Sequence, residues 1–456
     1  MSNHVPALVI GAGISGLVCA HALRKAGADA QIIEASDRAG GVIGSERREG
    51  YLLEFGPQSF NATSAVIDLC RELGIEDQLV LAPARAARYV LVNGKLREVP
   101  LSPPAFMKSS LFSLGTKLKV LKDVLGRSTP PETEESIAAF VRRKFSAELL
   151  ERLVGPLVSG IYAGDPEKLG LRSAFPELYE AEKSAGSVIL GLLRGGKKDK
   201  TPGEKPTLQT FREGNQTLIN ALTASLGSKL RCGFEARAVN VLPGPAGAPS
   251  FEVSMTTNGR EEILTADRLI VATPTKPAAA LLRGVDAHFA SLLQKIEYAP
   301  VAVVSLGYAK SAIRHSLEGF GFLVPRSAGL RILGTVWNSS LFPNRAPEGH
   351  VLLTSFVGGA LDAQAVDRAP TELIESVHRE LAHILGISQP SAFSNVQVWR
   401  RAIPQYHVGH AEKISQLQEL PTKHSHLYVA GNYLHGPALG ACIEEALTVA
   451  REAGIK

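Results

Sequence analysis

Apolar and polar positions change period several times along the chain, and each change marks an element. Ala7–Ile10 is a short apolar run, Leu17–Lys25 repeats its apolar positions with a helical period, and Ala30–Glu34 is strand-like again. Residues 7–35 therefore predict a strand–helix–strand unit. Residues 64–81 predict a helix ending near Gly74, and helical patterns return at 133–154 and 177–193. Between Leu96 and Leu125 the character shifts to Pro, Ser, Lys and scattered bulky apolar residues. A helix over 215–226 precedes alternating strands around Arg231–Leu242 and Phe251–Met255. Leu269–Thr273 has the unbroken apolar character of a buried parallel strand. Residues 299–308, 320–325, 331–337 and 350–357 predict strands of a separate sheet. A helix over 371–385, a last strand at Leu427–Ala430 and a terminal helix from about Pro437 complete the pattern. Gly195–Pro206 has linker composition, and Pro243–Pro249 predicts a surface turn. With no internal repeat, one domain is assembled from separated segments and others are inserted between them.

A length of 456 residues fits two or three domains. Aromatic residues make up only 6%, which argues against a stacking platform for single-stranded nucleic acid. A formal charge of +5 is too small to retain a polyanion, yet it suits anionic lipid or a carboxylate-bearing substrate. No nucleic-acid partner is expected. Cys19, Cys70, Cys232 and Cys442 are far apart and form no CxxC pair, as reduced thiols in a reducing compartment would be. His407 and His410 lack a third ligand, so they are read as structural and no metal is expected. No apolar run reaches the length of a membrane span, and the N-terminus has no signal-peptide layout. The expectation is a cytoplasmic protein whose membrane contact is peripheral.

The chemistry begins after the first strand. Gly11-Ala12-Gly13-Ile14-Ser15-Gly16 follows a strand and opens a helix. Its glycines allow a tight turn, close approach to a pyrophosphate and helix-against-strand packing, and the helix N-terminus faces the phosphates. Glu34 ends the second strand 18 residues after Gly16, placed to accept ribose hydroxyls. Asp37-Arg38-Ala39-Gly40-Gly41 resembles the second signature of FAD-binding, amine-oxidase-type flavoproteins. In that reading Arg38 neutralises pyrophosphate while Gly40 and Gly41 turn the main chain beneath it. Gly56, Pro57, Gln58 and Ser59 then form a backbone-rich loop beside the flavin ring.

Motifs in the middle and C-terminal parts carry a fuller resemblance. They are Leu157–Pro176 (LVSGIYAGDPEKLGLRSAFP), Phe211–Leu222 (FREGNQTLINAL), Glu318–Pro325 (EGFGFLVP), Gly334–Gly359, Trp399–His410 (WRRAIPQYHVGH) and Gly431–Glu445 (GNYLHGPALGACIEE). Together with the N-terminal motifs, they make the chain similar to the oxygen-dependent protoporphyrinogen oxidases from Val9 to about Ala450. The resemblance implies FAD contacts at Gly11–Gly16, Glu34, Ala35, Val42 and Gly56–Ser59. Gly41 adds a contact of the glycine pair, the Val239 main chain one with the adenine, and Trp399, Pro437, Ala438 and Leu439 lie beside the isoalloxazine. It also implies that Arg88 pairs with a substrate propionate, that Leu323, Val336 and Phe356 sandwich the tetrapyrrole, and that Gly160 packs its backbone against the ring. By pattern alone, Leu323, Val336 and Phe356 read as strand core and Arg88 as a surface charge. Two positions depart from the family: Ala441, where a basic residue is common, and Val336, often leucine.

The implied fold class is α/β with α+β insertions. A Rossmann-like FAD-binding domain is built from 1–84, 205–295 and 399–456. A helical, membrane-associating insertion spans 85–204, and a mixed-sheet substrate domain spans 296–398. The implied reaction is porphyrinogen oxidation with dioxygen as acceptor and hydrogen peroxide as by-product, with no side-chain base assigned. Coproporphyrinogen oxidation by the same fold, or another amine-oxidase-type reaction, stays open, as does a homodimer. Thr116–Arg127 puts Leu118, Leu121 and Leu125 on one helical face among Lys117, Lys119 and Lys122. Ser187–Leu193 is apolar and leads to Arg194, Lys197, Lys198 and Lys200. Such segments either lie in a membrane interface or pack on their own domain, and the resemblance implies the first.

Overall fold

A computed structural model describes residues 4–126, 128–195, 208–244 and 249–454. Most of the linker Gly195–Pro206, with Lys197, Lys198 and Lys200, and the middle of the turn Pro243–Pro249 lie outside the described residues.

One seven-stranded sheet is built around His4–Ile10, which pairs in parallel with Ala30–Glu34 on one side and Arg260–Val271 on the other. Leu230–Cys232 adds in parallel beyond Ala30–Glu34, and Leu427–Val429 pairs in parallel with the end of Arg260–Val271. Side chains alternate across such a strand. Ala7 and Val9 pack with helices Ile14–Lys25, Gln216–Leu226 and Leu439–Ala453, while Leu8 and Ile10 pack with Thr275–Leu282, Ala287–Gln294 and His410–Leu417. Helices therefore cover both faces of the parallel core, as in a doubly wound fold. The strand Arg260–Val271 is much longer than the 269–273 the pattern predicts. Its first half forms an antiparallel hairpin with Pro249–Thr257 and carries mixed polarity, so only its fully buried end reads as a parallel strand.

A second seven-stranded sheet runs in the order Phe393–Pro404, Tyr298–Ala309, His350–Gly358, Ile332–Trp337, Gly321–Leu323, Arg88–Val92, Lys95–Glu98. Ala302, Val304, Leu306 and Tyr308 point to helix Pro370–Leu385, and Val301 and Val303 point the other way, toward Trp399 and Phe356. Two expectations change here. The segment 85–204 opens with two strands of this sheet, and Phe393–Pro404 runs across the division placed at 398/399. Lys95–Glu98 and Phe393–Pro404 are the two edge strands of the sheet, and an edge strand with one wet face carries a weak apolar signal. The helix expected within 64–81 to end near Gly74 runs over Ser64–Glu72, and Leu79–Leu81 beyond it forms a strand with Leu208–Phe211.

The helical segment has an apolar core of its own, yet one of its helices buries polar groups and exposes apolar ones. In Leu114–Leu125, Asp123 is buried, and its carboxylate receives Lys144 Nζ at 2.7 Å, Ser187 Oγ at 2.9 Å and the Ile189 N–H at 3.1 Å. Lys144 and Arg143 also reach the buried Glu182. The opposite face leaves Leu114, Leu118, Leu121 and Leu125 exposed, the last by 83%, and Leu192 and Leu193 are exposed too. No helix among the described residues is long and apolar enough to cross a membrane.

Candidate active site

The two sheets meet across a cavity of about 1760 Å³. One end is formed at the carboxyl ends of the parallel strands, where such folds bind their ligands. Gly11, Gly13, Ile14, Ser15, Glu34, Ala35, Arg38, Gly41 and Val42 line it, as do Gly56–Ser59, Trp399 and Pro437–Leu439. Ala12 and Gly16 stand one layer behind the lining. The Ala12 N–H donates to Glu34 Oε2 at 2.8 Å, which ties the first glycine turn to the acid. A methyl at Gly16 would lie 1.9 Å from the Gly11 carbonyl oxygen, so helix and turn can approach only over glycine. The second motif is stitched to the first: the Gly40 N–H donates to the Ala12 carbonyl at 2.7 Å, with Gly40 at φ +109°.

Two expected cofactor residues also have side chains held by the protein itself. Arg38 donates to the carbonyls of Ala39, Ile43 and Gly41, so its guanidinium braces its own loop. The Val239 side chain is 1% exposed in the core, which leaves its main chain for the adenine contact that the resemblance implies, and Glu235, Ala236 and Arg237 of the same strand line the cavity.

Sequence reasoning missed several polar groups. Thr63 Oγ1, Thr273 Oγ1 and the Tyr433 hydroxyl are buried without a partner among the described residues, and all three residues line the cavity. Unpaired buried hydroxyls are costly unless a ligand or water meets them. Burial holds the Tyr433 phenol well above its ordinary range, so it stays a donor. His435 also lines the cavity, and its hydrogen bond to Glu445, 2.6 Å long, raises its pKa. Two helix N-termini, at Ile14 and Leu439, open on the same space and favour negative charge there. Glycine turns, free hydroxyls, an acid and two helix ends together fit a dinucleotide such as FAD.

Beneath the Gly56–Ser59 loop lies a buried ion pair, Glu54 with Arg345, at 3.4 Å. Glu54 also accepts from Ser45 Oγ at 2.5 Å and from the Asn215 N–H at 3.0 Å. Burial outweighs these contacts and pushes the Glu54 carboxyl up to about 7. Arg345 donates further to Thr210 Oγ1 and the Phe211 carbonyl. A lone acid in the apolar run Tyr51–Phe55 was a faint signal for Glu54; nothing in the sequence pattern pointed to Arg345.

The other end of the cavity is apolar. Arg88, Gly160, Leu323, Val336 and Phe356 all line it, so the five residues implied as substrate contacts come together. Register explains their grouping: Gly321 stands opposite both Arg88 and Val336, and Gly334 opposite both Leu323 and Phe356. They occupy adjacent rows of one sheet. Helix Gly155–Tyr162 crosses over them closely enough that a methyl at Gly160 would lie 2.7 Å from Leu323 Cδ2. Arg88 lies over the Phe320 ring, 5.5 Å from its centroid, and makes no ion pair among the described residues. His410 is buried, stacks on Tyr406 and donates to the Tyr433 carbonyl; burial lowers its pKa to about 4.

Comparison with known proteins gives this architecture its family. The sequence model for flavin-containing amine oxidoreductases matches residues 14–453, and the chain belongs to that family. It is an FAD-dependent oxidoreductase of the oxidase type. Among individual relatives, it is 35% identical to the chloroplastic protoporphyrinogen oxidase of Nicotiana tabacum, over 98% of this chain and 84% of that one. It is 32% identical to the coproporphyrinogen III oxidase of Bacillus subtilis, over 98% of this chain and 97% of that one. A crystal structure from Exiguobacterium, provisionally assigned as a protoporphyrinogen oxidase, superposes with a TM-score of 0.82 at 25% identity, covering 98% of both chains.

Proposed function

We propose that this enzyme oxidises protoporphyrinogen IX to protoporphyrin IX in successive two-electron steps. The observation that carries the reading is a single cavity with a dinucleotide cradle at one end and, at the other, an apolar bed closed by the unpaired Arg88. FAD, when bound, supplies a two-electron acceptor. Gly11, Gly13–Ser15, Glu34 and the Gly56–Ser59 loop would hold it, and the N-terminus of the helix starting at Leu439 would favour negative charge on it. Leu323, Val336 and Phe356 hold the macrocycle flat, and Arg88 anchors an ionised propionate through a charge-assisted hydrogen bond. Positioning carries most of the catalysis, since no side chain at the bed is placed as a base. Each step removes a hydride from a bridge carbon and a proton from a pyrrole nitrogen, and dioxygen takes up both electrons and two protons as hydrogen peroxide.

Coproporphyrinogen III is the second candidate substrate, supported by the Bacillus subtilis relative, which matches over nearly its whole length. Anaerobic addition of each porphyrinogen in turn separates them. The preferred one bleaches the flavin faster, and air then yields porphyrin fluorescence. A flavin that neither compound bleaches ends the proposal.

The outward leucines of Leu114–Leu125, with Leu192 and Leu193, further support peripheral attachment at the cytoplasmic membrane face. A helix that buries Asp123 and exposes Leu125 is arranged for an apolar exterior. Anionic liposomes should carry the protein upward in a flotation gradient, and Leu118→Asp with Leu125→Asp should leave it at the bottom. Wild-type protein that stays at the bottom refutes the attachment.

A further inference from the structure

The loop Phe55–Ser59 lines the cavity, yet its shape is held by residues from three other parts of the chain. Trp399 Nε1 donates to the Phe55 carbonyl at 2.6 Å, and Asn215 Nδ2 to the Pro57 carbonyl at 2.7 Å. Asn338 Nδ2 donates to Gln58 Oε1, also at 2.7 Å. The third bond differs from the others. Asn338 is 3% exposed and does not line the cavity, so it touches neither the cofactor end nor the bed. It follows Val336 by two residues, directly after the strand that carries part of the bed.

The Gln58 amide can satisfy Asn338 in one orientation only. With Oε1 turned to Asn338, its Nε2 donates to the Glu54 and Gly56 carbonyls at 3.1 and 3.2 Å, curling the loop on itself. Gly56 in turn presses on the second glycine loop, where an added methyl would lie 2.4 Å from the Val42 carbonyl oxygen. A path thus runs from Val336 along two residues of chain to Asn338, then through hydrogen bonds to Gln58 and Gly56, which lies close against Val42.

From this path we infer that Asn338 is a positioning residue that couples occupancy of the bed to the hold on FAD. The inference rests on the proposed function. A flat molecule seated on Val336 loads the strand end, Asn338 passes the shift to the Gln58 amide, and the loop against Val42 follows. Coupling between two sites is reciprocal: a porphyrin that tightens FAD is itself tightened by FAD to the same factor.

The test uses the holoenzyme and protoporphyrin IX, which is both product and probe. FAD dissociation constants are measured with and without saturating protoporphyrin IX, and porphyrin binding is followed separately by its own fluorescence. In the wild type the ratio of the two FAD constants should depart from one by about fivefold or more, the lower end of ordinary coupling. Asn338→Ala should bring the ratio to one while porphyrin still binds. Asn215→Ala, which removes support from the cofactor side, should weaken FAD in both conditions and keep the wild-type ratio. A wild-type ratio of one, or an Asn338→Ala protein that retains the wild-type ratio, overturns the inference and leaves the proposed function standing. Wild-type protein that binds no porphyrin removes the proposed function and the inference together.

Discussion

The two ends of the cavity are made of different material. At the cofactor end the contacts are main-chain amides and carbonyls brought close by glycine, with a few hydroxyls between them. At the bed they are side chains, Leu323, Val336, Phe356 and Arg88, standing on a sheet whose strands come from residues 88 to 404. Backbone surfaces have no spare volume, so one carbon atom in the wrong place destroys them. Side-chain surfaces can be cut back with the sheet intact, so substrate handling can change while the flavin stays.

The largest effect should come from Gly16→Ala. Its methyl would meet the Gly11 carbonyl oxygen, and the Gly11 backbone with the Ala272 methyl leaves no room to yield. Purified protein should be colourless, with a flavin-to-protein ratio near zero; a yellow, folded variant would show that the turn is not as tight as described.

Next is the ion pair beneath the loop. Arg345→Leu leaves Glu54 buried without its cation, a loss of about 3–5 kcal/mol, read by urea denaturation. The same carboxyl should make stability depend on pH. Its folded pKa, near 7, lies above the ordinary 4.5, so the native state holds the proton more tightly. The resulting stabilisation is complete below about pH 4.5 and is lost as pH rises through 7, by at most about 3 kcal/mol. Glu54→Gln should flatten that slope, and an unchanged slope assigns it to other groups.

Smaller effects belong to the bed. Arg88→Ala should raise the Michaelis constant ten- to a hundredfold, the equivalent of about 1.5–3 kcal/mol for one charge-assisted bond, with FAD content unchanged. An unaltered constant removes Arg88 from substrate binding. Phe356→Ala should impair turnover while the yellow colour persists, and loss of flavin from it would make Phe356 a structural residue.

The contrast also explains what could be read in advance. Gly11–Gly16, Glu34 and the Gly40–Gly41 pair are local: their spacing follows from one turn of chain around a pyrophosphate, so sequence alone specifies the strand, turn, helix and acid. The apolar run over residues 299–308 likewise announced a strand. Arg38 lines the cavity, but the sequence did not show that its guanidinium also donates to three carbonyls of its own loop. Glu54 with Arg345 and Gln58 with Asn338 were invisible, since their partners lie 291 and 280 residues apart. Only folding places them together, because a hydrogen bond depends on distance in space and not on separation along the chain. Local geometry determined where a dinucleotide can sit; long-range packing decided what else shares its cavity.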